Sequence, residues 1–344
     1  MSTKILTFSE SLDQAKGHKH LLLGNGFSIA LKPDIFSYGA LFDKADFSAS
    51  PHAREVFNAL NIRDFEAVIR LLVEMGKALK AYPDAGQTLI DQINKDADAI
   101  KDILVNAIAG NHPDHPFQVS DEQMACCRRF LSCFEHKYTL NYDLLLYWAV
   151  MRDDIDRQDL HPDDGFRHPE DDDGADYVTW QEGNKATIHY LHGALHLFDT
   201  GPDLVKYTWS RTSIRIIDQV RQALDAGKYP MFVAEGTSRD KLTKIMHSAY
   251  LHKALRSFSA ISGSLFIYGH SLAENDEHVL RLIEKGTIRD VFVSLYGDHA
   301  SPTNRKIMSR ARRMTDAREK SKGRNRLDVH FFDADSAEVW KCEA

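Results

Sequence analysis

A chain of 344 residues, 43% hydrophobic and 27% charged, can bury a sizeable core, as one large α/β domain or two smaller ones. Its formal net charge of -7 argues against a protein built mainly to coat nucleic acid, and no apolar run reaches the length of a membrane span. The N-terminal stretch has no signal-peptide core, and Cys126, Cys127, Cys133 and Cys342 form no Cys-x-x-Cys pair; the expectation is a cytoplasmic protein with small buried thiols, without a zinc ribbon or disulfide framework.

In chain order, the first predicted strand is the apolar run 18–24, which ends in Gly24-Asn25-Gly26-Phe27-Ser28. Two glycines so placed point to unusual backbone angles or close approach by another group, either an ordinary tight turn or a cradle for a phosphate. Residues 50–133 then carry apolar residues at helical spacing and read as an inserted helical subdomain. Strand patterns follow at 136–141, 186–193, 229–236, 264–271, 289–297 and 326–333. The acidic, Pro- and Gly-broken segment 152–176 reads as a surface insertion, and the basic tract 305–326 as a helix-compatible segment. Both are expected to be solvated faces, with docking to a partner or to each other as the alternative. The alternation of strands and helices predicts a single α/β domain spanning 1–344, with a doubly wound, mostly parallel, Rossmann-like sheet whose ligand site lies at the carboxyl ends of its strands.

Small and polar residues collect at those ends: Gly24-Asn25-Gly26-Phe27-Ser28, Thr139-Leu140-Asn141-Tyr142-Asp143, Leu191-His192-Gly193, and Gly269-His270-Ser271 followed by Asp276. In this order they resemble the motifs of the sirtuin-like NAD-binding fold. They are closest to those of bacterial sirtuin-like NAD hydrolases, many of which are effectors of anti-phage defence. The resemblance spans roughly residues 18 to 300. It implies a diphosphate loop at Gly24, Asn25, Gly26 and Ser28, and an adenosine-side motif at Gly269, Ser271 and Asp276. It also implies that Asn141 positions ribose and water, that Asp143 is the acid near the nicotinamide, and that His192 is the catalytic histidine. Asn25 replaces the alanine usual in the family, Phe27 is bulky, and the segment Leu31-Lys32-Pro33-Asp34-Ile35-Phe36 lacks the arginine that follows the family's Pro-Asp-Phe.

The chemistry implied is cleavage of NAD to nicotinamide and ADP-ribose. Nicotinamide leaves a cationic pyridinium as a neutral molecule, so this glycosidic bond needs no proton donor, and one base with good positioning suffices. Asp143 has a second reading, as an N-cap for the helix after it. Deacylation is disfavoured because the zinc module of sirtuin deacylases is missing. In His189-Tyr190-Leu191-His192-Gly193-Ala194-Leu195-His196 the histidines do not share a helical face, so no metal is expected. A non-catalytic NAD or ADP-ribose sensor is the rival reading, and nucleic acid is disfavoured as a ligand. Because unrestrained NAD cleavage would harm its own cell, control is expected through a homo-oligomer or a separately encoded activating partner.

Overall fold

The computed structural model describes residues 4–341 except 83, 85, 170, 171, 173, 184, 202, 209–213, 235, 236 and 322–324. Its centre is a seven-stranded sheet in the order β1-β11-β10-β9-β2-β3-β6. The strands are β1 (Ile5–Leu6), β2 (Lys19–Leu23), β3 (His136–Thr139), β6 (Ile188–Tyr190), β9 (Ser262–Tyr268), β10 (Thr287–Leu295) and β11 (Asp328–Asp333). Every neighbouring pair is parallel. A parallel sheet is covered on both faces, so its strands are apolar without alternation. Accordingly Leu21, Leu22, Leu23, Leu265, Phe266, Ile267, Val291, Phe292 and Val293 are all fully buried. On one face Phe8, from α1 (Phe8–Gln14), packs against Phe130, Phe134, Phe266 and Phe332.

The strand order positions the site. From β2 the chain builds outward through β3 to β6, then returns to the other side of β2 and builds outward again through β9, β10 and β11. The direction reverses between β2 and β9, and a crevice opens outside the carboxyl ends of such a strand pair. This is the Rossmann-like arrangement read from the sequence.

Between β2 and β3 lie α2 (Gly26–Leu31), α3 (Pro33–Phe36), α4 (Tyr38–Lys44), α5 (Pro51–Leu60), α6 (Phe65–Leu79), α7 (Gln87–Asn111) and α8 (Asp121–Ser132). Asp64 caps α6 by accepting from the Ala67 N–H, and Ser120 with Gln123 forms a capping box on α8. Phe42, Phe47, Phe57 and Phe65 form an aromatic nest at the base of this block.

Two readings need correction, and one element was not foreseen. The strand expected at 229–236 is not found over its described residues, 229–234, of which only Phe232 makes a bridge, antiparallel to Gly193. Pro230 removes a ladder donor, and Gly193, at φ +80°, approaches Met231 so closely that a Cβ there would lie 2.0 Å from the Met231 carbonyl oxygen. The acidic segment leads into a second, antiparallel sheet of β4 (Phe166–Arg167), β5 (Tyr177–Trp180), β8 (Leu204–Tyr207) and β7 (Leu197–Asp199). Many of its carboxylates pair with the chain's own cations: Asp154 with Arg152, Asp156 with Arg128, Asp163 with Arg167 and Asp164 with Lys206. Finally, Cys126 is disulfide-bonded, contrary to the expectation of plain thiols, whereas Cys127 and Cys133 are free. Cys342 lies outside the described residues.

The carboxyl-terminal half adds α9 (Leu145–Met151), α10 (Ile216–Asp225), α11 (Ser238–His247), α12 (Ala249–Ala260), α13 (Glu277–Lys285) and α14 (Pro302–Lys320). Most of the basic tract is α14, and part of its charge is structural. Buried Arg318 donates to the carbonyls of Ile283, Glu284, Ile288 and Asn325.

Candidate functional site

A cleft of about 1740 Å³ lies over the switch point and is lined by the ends of β2, β3, β6, β9 and β10. The Gly24–Ser28 turn forms one lip. Its N–H groups are largely used within the protein: Gly24 donates to Tyr268 O, Gly26 to Gly269 O, Phe27 to Gly24 O, and Ser28 and Ile29 to Asn25 O. The glycines therefore serve a contact between two loops. A Cβ on Gly24 would lie 2.7 Å from Gly269 O, and one on Gly269, at φ +69°, would lie 2.6 Å from Phe27 N. The Asn25 side chain donates to Phe36 O and fixes the segment leading into α4. Trp340 holds the same turn from behind, with its indole N–H on Phe27 O and its ring against Phe27.

Asn141, Ser28 and Asp143, distant in sequence, form one chain of hydrogen bonds. The Ser28 hydroxyl is 2.5 Å from Asp143 Oδ2 and accepts from Asn141 Nδ2 at 3.0 Å. A carboxylate only accepts, so Ser28 donates to it, and the Asn141 amide must present its N–H to Ser28 and leave its carbonyl oxygen for the cleft. Asp143 also accepts from the Leu145 N–H at 2.9 Å, which fixes the first turn of α9. Both of its oxygens are thus engaged, although the N-cap position of α9 is Leu144 and not Asp143. Burial pushes its carboxyl pKa up, against the pull of these two bonds.

His192 follows β6, the strand beside β3, and is buried among charges. Behind it Asp276 accepts from Lys241 Nζ at 3.0 Å and from His270 Nε2 at 2.9 Å. Lys241, fully buried, also reaches Glu66 Oε2 at 2.6 Å, where the Asn275 amide meets the same oxygen. Burial opposes charge on all three groups. For Asp276, Lys241 and His270 outweigh burial and hold its carboxyl well below the usual range; for Lys241, the two carboxylates outweigh it and raise the ammonium. For Glu66 burial wins and the carboxyl is raised. His270 Nδ1 accepts from the Leu272 N–H, so its Nε2 carries the proton given to Asp276. Asp276 is therefore held inside the protein more than it is offered to an adenosine, although it touches the cleft together with exposed Ser271.

His192 Nε2 lies 3.0 Å from His278 Nε2 on α13, and with Asp276 the two histidines have metal-ligand spacing. The direction of the rings does not fit a shared ion. Their centroids are 5.2 Å apart, so centroids and facing nitrogens lie nearly on one line, as in an N–H···N hydrogen bond. Lone pairs converging on one ion at the usual metal–nitrogen distance would bring the centroids to about 4.6 Å. The Lys241 ammonium beside Asp276 further disfavours a second cation. The neighbouring histidines serve elsewhere: His189 faces Ser257, and His196 is buried between Tyr147 and Tyr190.

Sequence reasoning assembled Asn141, Ser28 and His192 but missed Glu66, Lys241 and His278. Glu66 carried a signal, a carboxylate on the apolar stripe of α6 among Phe65, Ile69 and Leu72. Lys241 carried none, since α11 is rich in charged residues.

No curated protein matches this chain. The profile of a family described as a domain of unknown function matches residues 21–340, from β2 through every strand end of the cleft to Trp340. The chain belongs to that family, DUF4917.

Proposed function

We propose that this protein is a hydrolase that cleaves NAD to nicotinamide and ADP-ribose on a sirtuin-like fold, as a regulated effector of bacterial anti-phage defence. The observation that carries the reading is that Asn141 and His192, which follow the neighbouring strands β3 and β6, line the same cleft beside the switch point. In this reading the Asn141 carbonyl oxygen holds the attacking water, and Ser28 and Asp143 hold Asn141. His192 takes a proton from a ribose hydroxyl or from that water. Burial, helped by Lys241, keeps its imidazole well below its usual pKa and hence neutral and able to accept. The Glu66–Lys241–Asp276 cluster places two carboxylates around one ammonium, a wall suited to the positive charge that develops as nicotinamide leaves.

Incubation with NAD tests the reading: nicotinamide and ADP-ribose should appear, and the His192→Ala protein should produce neither. Activity should be low in the dilute protein and rise on self-association or addition of an activating partner. Tight NAD binding without nicotinamide release under any of these conditions would instead make it a sensor of NAD or ADP-ribose.

A further inference from the structure

Resting on the NAD-cleavage reading, we propose that His192 is the inner end of a proton relay, His192–His278–Ser238, that carries the proton taken in the cleft out through the protein. His192 lines the cleft; His278 and Ser238 do not. The His192 Nε2 to His278 Nε2 distance of 3.0 Å and the collinear rings require one of these nitrogens to carry a proton and the other a lone pair. His278 Nδ1 faces Ser238 Oγ at 3.2 Å, and the same oxygen accepts the His278 backbone N–H at 2.7 Å. Ser238 begins α11 and is half-buried, whereas both histidines are buried.

The proton balance is simple. With His192 Nδ1 unprotonated toward the cleft, its Nε2–H donates to His278 Nε2, and the His278 Nδ1–H donates to Ser238 Oγ. When Nδ1 accepts a proton from the substrate hydroxyl or water, the Nε2 proton passes to His278. The His278 Nδ1 proton then passes to Ser238, whose own hydroxyl proton leaves to solvent. One proton enters, one leaves, and each ring stays neutral apart from the transfer. Neutral rings suit the surroundings: burial, reinforced by Lys241, disfavours an imidazolium at His192, and burial pushes His278 down to about 4. The charged and titratable groups facing the pair are Asp276, His270 and Lys241, the last tied to Glu66 of α6.

Two measurements test the relay. In steady-state NAD cleavage, His278→Ala should lower kcat about 10- to 100-fold with little change in KM, shift the acidic limb of the pH–rate profile, and be partly rescued by added imidazole. Ser238→Ala should show a smaller loss in the same direction. Unchanged kcat and pH profile in folded His278→Ala would overturn the relay. Nitrogen-15 spectra of the histidine rings test it without NAD. They should contain a downfield proton shared by His192 and His278 that disappears in His278→Phe. Two rings that titrate independently would overturn the relay. Should the wild-type protein release no nicotinamide, the NAD reading fails, and the ring spectra alone decide whether the shared proton exists.

Discussion

A β-carbon on Gly26 would lie 2.5 Å from the Cα of Gly269, a separation that real Cβ atoms do not reach. The turn after β2 and the turn after β9 are in backbone contact across the floor of the cleft. Gly26→Ala must therefore separate them, at a cost of about 1–3 kcal/mol. Thermal melting should show a clear drop, with weaker NAD binding as a consequence; a melting point equal to wild type would contradict the close approach.

His192→Ala and Asn141→Ala should each lower NAD cleavage on the order of 10²–10⁴-fold. Both side chains stand at the rim of the sheet, so circular dichroism should stay native. Calorimetry should find NAD still bound by the His192 variant, since the loss is of a base and not of a binding wall.

Lys241→Met should be among the most damaging single changes. It leaves Glu66 and Asp276 buried without their shared cation, a loss of about 3–5 kcal/mol for a broken buried pair. Adding Glu66→Gln and Asp276→Asn to Lys241→Met removes the stranded charge and should recover much of that loss in a denaturant titration. No recovery would mean that Lys241 acts by packing alone.

Stability should fall steeply in mild acid. Burial lowers His20, His112, His189 and His278 from 6.5 to about 4. Between those values the unfolded chain binds protons that the folded chain refuses, so stability rises with pH across this window and is lost as pH falls below about 6.5. Each fully shifted group contributes on the order of 3 kcal/mol. Unfolding midpoints in denaturant, measured between pH 7 and 4.5, should fall progressively; a flat profile would contradict the buried neutral histidines.

Six strands of the central sheet were legible because β2, β3, β6, β9, β10 and β11 are short runs with aliphatic, aromatic or β-branched residues bounded by turns. β4 and β5 were not, because Phe166–Arg167 is only a dipeptide and Tyr177–Trp180 directly follows an acidic, Gly-broken stretch. Residues 229–236 misled for the opposite reason, an apolar run interrupted by Pro230. The residues at the strand ends could be gathered because topology alone brings them together. The Glu66–Lys241–Asp276 cluster could not: Glu66 stands out on the apolar stripe of α6, but its partner Lys241 looks like any other charge of α11. The His192–His278 contact was hidden similarly: only the packing of α13 against the end of β6 creates it.

The contact between Gly26 and Gly269, and the Trp340 indole on Phe27, also order events at the ribosome. A growing chain exposes β2, β3 and β6 first, yet the second lip of the cleft is the turn after β9, and the ring that steadies the first lip comes at Trp340. Domains fold as units once their long-range contacts can close. A nascent or prematurely terminated chain thus carries His192 and Asn141 without a finished site. On the proposed reading, translation itself keeps the cell's NAD safe until Trp340 has emerged.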